Sequence, residues 1–351
     1  MREFSSPIAG PDAARQAAFG RWLAGVAPRH DIDPAHIAPA VANGRSPHVW
    51  RVLGRHGSCI AIDAPPPRDI RPRIHAATLL REAGIDTPRV LGAETGQGFL
   101  LLEDFGGTDL DDALRAAPPA QAEAAMRQAL ATLVQFETRV AAAALPRCEP
   151  NRFAAELALF PACCVERRFG IRWNEAQQVA WRKVAAALTA SALALPLVAV
   201  HADFAPRQLR VRPRDSIVLI GVLGGGDAYA GPIGLDLVTL LRDTACDGDE
   251  AQELDRAVRW WELARRAGLP VDADFGECWR ALEWLGLMRD LTELGRVCRE
   301  PQREGADPAA TELPRLLGQA GKVALRYAPL KPLLRLLEPL SGARVESGFT
   351  F

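Results

Sequence analysis

The spacing of apolar residues changes along this 351-residue chain, and that change limits its fold more than any other feature. Before about Ala120 the apolar residues come in short runs cut by turn formers. His48 to Leu53 and Ser58 to Asp63 are two such runs, separated by Gly54-Arg55-His56-Gly57, which predicts a hairpin. Pro65-Pro66-Pro67 stops the second strand, a helix is predicted over Arg71 to Ala83 with Gly84 ending it, and strands are predicted at Arg89 to Ala93 and Gly98 to Glu103. Another helix is predicted around Ala13 to Ala24.

From Ala120 onward the period is helical: Met126, Leu130, Leu133 and Val140 fall near one face of an alanine-rich segment. Further helices are predicted near Arg152 to Arg168, Glu175 to Ala192, Leu235 to Thr244, Glu250 to Ala267 and Phe275 to Cys298. The only interrupting strands are predicted at Leu197 to His201, Leu209 to Val211 and Ile217 to Leu223. The expected fold is therefore α+β: a small mixed-sheet lobe over residues 1–104 and a larger helical lobe over 105–351. The joint is expected at Glu103-Asp104-Phe105-Gly106-Gly107, and a ligand is expected between the lobes.

Composition narrows the function by exclusion. Forty-two basic and 43 acidic residues leave a net charge of -1, which gives no global reason to bind nucleic acid or an anionic membrane. No apolar run reaches the roughly eighteen residues of a membrane span, and no apolar stretch follows Arg2, so a cytoplasmic protein is expected. The seven cysteines form no Cys-x-x-Cys pair and no metal-type spacing, so reduced thiols are expected. Lysine occurs only at Lys183, Lys322 and Lys331, leaving the first half with none.

The chemistry is concentrated between Val200 and Asp243, which reads V-H-A-D-F-A-P-R-Q-L-R-V, then I-G-V-L-G-G-G-D-A-Y-A-G-P-I-G-L-D-L-V-T-L-L-R-D. An Asp in a loop ordinarily caps or turns the chain. Asp203, set inside H-A-D-F ahead of a strand pair, reads instead as a proton acceptor, with His201 buttressing the loop. This stretch resembles the core of the aminoglycoside phosphotransferase-like kinase family, where H-x-D-(F/Y)-x-x-x-N-L is followed by a strand and D-F-Q-D-A. D-A-P-P from Asp63, G-F-L-L-L-E-D-F-G from Gly98, E-L-A-L-F-P from Glu156, W-L-G-L-M-R-D-L from Trp284 and L-P-R-L-L from Leu313 resemble its bacterial N-acetylmuramate/N-acetylglucosamine 1-kinase branch.

The resemblance implies a two-lobed protein-kinase-like fold, ATP and Mg²⁺ as cofactors, and a small sugar as substrate or ligand, within peptidoglycan recycling. It makes Asp203 the catalytic base that accepts the hydroxyl proton. It puts nucleotide contacts at Gly44, Arg45 and Ser46 of the turn before the first strand, where an ordinary turn is an equal reading, and at the backbone of Leu101 to Glu103. Glu156, Glu166 and Arg289 are sugar-contact candidates by position, with solvated helix faces as their plainer reading. Arg242 and Asp243 read as a structural pair.

Two departures bear on activity. Gln208 stands where the family carries a metal-binding Asn, and Gly224 stands at its principal metal-ligand Asp, with Gly225 and Gly226 replacing Phe and Gln. Gln208 and Asp227 are left as the candidate metal ligands, the latter only if it swings into the site. A phosphate-cradling role for the glycine triplet has little support, because no P-loop lysine or G-x-G-x-x-G accompanies it. Two functions follow: an ATP-dependent amino-sugar kinase with impaired or lost transfer, or a catalytically inactive kinase-like binding or regulatory module.

Overall fold

The computed structural model of the protein describes residues 13–40, 48–149, 151–214, 217–246, 250–299 and 307–341. The chain divides into two compact units, the first made of Met1–Ala125 with Arg207–Ala228, the second of Met126–Pro206 with Tyr229–Phe351. The stretch Glu103 to Gly107 lies inside the first unit, which also takes in a hairpin from much later in the sequence.

The first unit is built on five antiparallel strands: β1 (Ile32–Pro39), β2 (Val49–Gly54), β3 (Ser58–Asp63), β4 (Val90–Glu94) and β5 (Phe99–Glu103), in the order β1-β2-β3-β5-β4. The two-residue alternation of a strand assigns its side chains to opposite faces. Phe99 and Leu101 of β5, with Cys59 and Ala61 of β3, pack on Phe19 and Leu23 of α1 (Ala13–Val26). Leu100 and Leu102, with Ile60 and Ile62, meet Ile70 and Ile74, the latter on α2 (Arg71–Glu82). Both faces of β3 and β5 are thus covered, which is why Phe99, Leu100 and Leu101 are apolar in succession and all fully buried. Arg15 locks α1 down: its guanidinium lies 5.0 Å from the Phe99 ring centre and pairs with Asp63 at the end of β3.

Strand β1 was not expected. Its sequence, Ile-Asp-Pro-Ala-His-Ile-Ala-Pro, lacks strand alternation and contains two prolines, which a sheet tolerates chiefly at an edge, and β1 is one of the two edge strands. Also in this unit, β6 (Thr108–Asp109) and the hairpin β8 (Leu209–Arg214) with β9 (Ile217–Val222) form a three-stranded sheet in the order β6-β8-β9, and α3 (Leu110–Ala116) follows β6. Thr87 donates a buried hydrogen bond to the Val222 carbonyl (2.7 Å), and the Val222 N–H donates to the Asp86 carbonyl (2.8 Å).

The second unit is helical, with α4 (Pro119–Arg139, most of which lies here), α5 (Arg152–Leu157), α6 (Glu175–Leu193), α7 (Leu235–Leu241), α8 (Glu250–Arg266), α9 (Phe275–Arg299), α10 (Pro308–Arg326) and α11 (Pro332–Ser341). The helix expected over Arg152 to Arg168 is α5 followed by a separate π-helical stretch, Phe160–Arg168, that begins around Pro161. Tyr229–Pro232 forms β10, antiparallel to β7 (Leu197–Val200); its short Tyr-Ala-Gly-Pro sequence has no strand signature, and it is not among the expected strands. Helix α9 runs through the middle: residues on every side of it are buried, so it lacks the single apolar stripe of a surface helix. Close packing uses two of its glycines. A Cβ at Gly295 would lie 2.5 Å from the backbone of Leu159, and one at Gly286 would lie 2.2 Å from the Arg242 guanidinium.

Candidate active site

The loop that carries Asp203 belongs to the second unit and leaves β7 at Val200. Ala202 takes φ +70°, a left-handed conformation that costs an L-residue about 1–2 kcal/mol and must be held in place. Asp236, in the first turn of α7, holds it. The Asp236 carboxylate accepts the N–H of His201 (2.5 Å) and of Ala202 (3.1 Å), and the N–H of Phe204 as well. The loop is therefore folded around one side chain, and Asp203 sits between backbone groups that Asp236 fixes. Asp203 itself is half-buried. The His201 ring lies edge-on to Phe136 and Phe204, with centroids 6.2 and 5.9 Å away, and is almost fully buried, in keeping with a buttress.

A second buried carboxylate secures the support. Glu137 of α4 accepts the indole N–H of Trp260 (3.1 Å) and the N–H of Gly234, the residue before α7. Burial raises the Glu137 pKa well above its usual range, and the Asp236 charge pushes the same way. Burial likewise raises Asp236, to about 7, against the lowering effect of its three N–H donors; the nearby Asp203 charge adds to the rise.

The consequence for stability has a definite sign. A native carboxyl at about 7, against 3.8 for the free group, makes the folded state hold more protons than the unfolded one between those values. Stability contributed by this group is full below pH 3.8 and is lost as pH rises towards 7. Asp236→Asn is expected to flatten this fall, which can reach about 1.4 kcal/mol per pH unit for one proton. Chemical denaturation at several pH values measures it, and parallel curves for the two proteins would disprove the assignment.

The candidate metal ligands belong to the first unit. Gln208 precedes β8, and its carbonyl accepts the Leu223 N–H (2.8 Å), which seats it beside the start of the glycine triplet. Gly224 and Gly225 have φ of +88° and +79°, a backbone that side-chain-bearing residues rarely adopt, and Ala228 closes the turn by donating to the Gly225 carbonyl (3.1 Å). Gly226 packs on the first turn of α2, where a Cβ would stand 3.3 Å from that of Arg73. Asp227 follows, with its charge felt by Arg73.

These residues do not fit a magnesium ion. Position 224 has no side chain, the Asp227 charge acts on a guanidinium, and Gln208 offers one neutral amide. Among the described residues no three His, Cys, Asp or Glu side chains are grouped so as to hold a metal.

Of the nucleotide candidates, Gly44, Arg45 and Ser46 lie outside the described residues. Leu101 and Glu103 lie on β5, an inner strand paired on both sides, and the Glu103 N–H donates to the Arg89 carbonyl (2.9 Å). Asp104, just beyond, is tied to the sheet by Arg51 (2.6 Å) and Ser58 (2.5 Å). In the second unit, Glu156 pairs with Arg152 and Arg296, Glu166 is exposed, and Arg289 donates to the Arg242 carbonyl (3.2 Å). Arg242 pairs with Glu253 and Asp290, not with Asp243 as expected; Asp243 accepts the Ala245 N–H instead. Sequence reasoning passed over Asp236 although its motif was in view, because nothing in Gly-Leu-Asp-Leu shows that this carboxylate reaches back more than thirty residues.

Known proteins resemble this chain in sequence and in fold. The chain is 35% identical over 344 residues to the N-acetylmuramate/N-acetylglucosamine kinase of Neisseria meningitidis serogroup B, covering 96% of this chain and 99% of that protein. It is 30% identical to the enzyme of the same name from Pseudomonas aeruginosa, covering 94% and 98%. Among solved structures, the GDP complex of aminoglycoside 2'-phosphotransferase-IIIa superposes with a TM-score of 0.58 at 14% identity, over 87% of this chain and 98% of that one. A choline kinase from Streptococcus pneumoniae does so with a TM-score of 0.58 at 11% identity, over 86% and 98%. The fold is thus of the protein-kinase-like α+β class, with an antiparallel sheet in the first unit and helices in the second. The phosphotransferase enzyme family model matches residues 37–286, well over half of the chain, and the chain belongs to that family.

Proposed function

We propose that this protein is a cytoplasmic kinase of N-acetylated amino sugars, moving the γ-phosphoryl group of ATP to the anomeric hydroxyl of N-acetylmuramate or N-acetylglucosamine during peptidoglycan recycling. The observation that carries the proposal is the Asp203 loop: a carboxylate on a left-handed turn, held by three N–H bonds to a buried Asp236. A proton acceptor in phosphoryl transfer has to meet the attacking hydroxyl in one orientation, and a loop clamped at its backbone supplies that orientation. Asp203 takes the hydroxyl proton, and His201, packed against Phe136 and Phe204, keeps the loop from collapsing. Relatives of the same length that bear the amino-sugar kinase name support the choice of substrate.

Transfer is slow in this reading. The family places its metal-ligand Asp where Gly224 stands, and cation-assisted charge neutralisation is a large part of phosphoryl-transfer catalysis. The direct test is release of ADP from ATP with each sugar present and absent. Sugar-dependent turnover is expected; its absence in a folded protein that binds ATP would reject the kinase reading.

A second reading, an inactive binding or regulatory module, is favoured by the same glycine. Gly224→Asp with Gln208→Asn separates the two. The double variant is expected to raise magnesium-dependent turnover, while the left-handed backbone at position 224 lowers its stability by about 1–2 kcal/mol. Turnover that stays undetectable in both proteins would favour the module.

A further inference from the structure

Arg73 is the third residue of α2 and belongs to the first unit. Its side chain is half-buried, yet among the described residues its guanidinium has no hydrogen-bond or ion-pair partner. That is unusual in a chain whose other partly buried arginines are paired: Arg15 with Asp63, Arg212 with Asp86, and Arg242 with Glu253 and Asp290. A guanidinium cannot shed its proton, so burial without a partner is a standing cost that an anion would relieve. Burial disfavours the Arg73 charge, and the field of Asp227 offsets only part of that.

The surroundings indicate which anion. Arg73 lies against the glycine triplet: the backbone and Cβ of Arg73 are 3.3 to 3.7 Å from where a Cβ on Gly226 would be. Gly224 and Gly225, which precede Gly226 in that loop, are left-handed and carry no side chain. At this place in the chain the family carries the carboxylate that binds the cation on the nucleotide phosphates. Here the carboxylate is gone, and the cation packed on the same loop is Arg73, whose Cβ lies against Gly226.

We propose that Arg73 is the phosphate contact of this protein, its guanidinium taking the charge of a nucleoside polyphosphate directly in place of a carboxylate-held divalent cation, with Asp227 as counter-charge in the free state. This rests on the reading of the protein as a nucleotide-dependent kinase and adds to it the way the nucleotide is held. A planar guanidinium binds two phosphate oxygens at once, a geometry that Lys cannot reproduce.

Calorimetric titration with ATP, in EDTA and again in excess Mg²⁺, tests the proposal on the wild type, Arg73→Gln and Arg73→Lys. The wild type is expected to bind ATP in EDTA within about threefold of its affinity in Mg²⁺. Arg73→Gln is expected to weaken binding in EDTA by about ten- to hundredfold, the usual range for a lost charge-assisted contact, and Arg73→Lys to recover part of it. Without ligand, Arg73→Gln should melt no lower than the wild type, because burial disfavours the Arg73 charge by more than Asp227 favours it; a purely structural Arg73 would lower the melting temperature instead. Wild-type binding that disappears in EDTA, or equal affinity in Arg73→Gln, overturns the proposal and leaves the kinase reading standing. Failure of the wild type to bind ATP in either buffer overturns both.

Discussion

Asp203→Asn is expected to reduce sugar-dependent ATP turnover by about 10²- to 10⁴-fold while the protein stays folded. Asn preserves the size and hydrogen-bonding reach of Asp203 but cannot take up a proton. The loop itself is held by Asp236 through backbone N–H groups, so its shape does not depend on the Asp203 side chain. The substitution should also leave a trace outside catalysis. The Asp203 charge helps raise the pKa of Asp236, so its removal lowers that pKa and moves the pH-dependent loss of stability to lower pH. Steady-state turnover and pH-dependent unfolding on the same variant check both effects. A loss of turnover below about tenfold, with the unfolding profile unmoved, would remove Asp203 from the mechanism.

Asp290→Ala is expected to cost about 3–5 kcal/mol of stability, the largest effect of any single substitution considered. Asp290 is wholly buried on α9, and its carboxylate accepts the Arg242 guanidinium (2.9 Å), itself only 5% exposed. Glu253 holds another face of the same guanidinium (2.9 Å), and Arg289 and Arg315 donate to the Arg242 carbonyl. Removing Asp290 leaves a buried cation with part of its compensation gone, and the charge cannot be discarded by deprotonation. Arg242→Met combined with Asp290→Leu should recover most of the loss, since a buried ion pair replaced by apolar groups of similar volume is often neutral. Denaturant unfolding of the single and double variants measures this. A double variant as unstable as Asp290→Ala would mean that packing against Gly286, and not charge, dominates the site.

Much of the architecture was legible because it rests on local patterns. The β2–β3 hairpin was readable from two β-type runs around Gly54-Arg55-His56-Gly57, and its observed register, Leu53 opposite Ser58, follows from that loop. Helices α6, α8 and α9 were readable from helical spacing nearly to their ends. Strands β1 and β10 were not readable, because each is specified by its neighbour: β1 pairs at a sheet edge despite its prolines, and β10 pairs with β7 from a sequence that looks like a turn. The candidate site divides the same way. Asp203 is marked by its motif, whereas Asp236, Glu137 and Arg73 carry no local mark at all.

Position 290 makes the same point in reverse. Met288, Asp290 and Thr292 lie in and just after W-L-G-L-M-R-D-L, the α9 stretch that resembles the amino-sugar kinase branch. In the structure all three are buried, and Asp290 is committed to Arg242. Their identities therefore report on the packing of α9.

By itself the sequence determined the fold class and the family, and it marked Asp203 as the candidate proton acceptor and Gly224 as the place of the missing carboxylate, because each is written in residue identity or in spacing along one segment. Only the tertiary structure decided what holds the Asp203 loop, which ion pairs are buried, and that Arg73 packs against Gly226. Those facts depend on groups more than thirty residues apart coming within a few ångströms, and on how much water each is left. Neither distance nor solvation is a property of the linear chain.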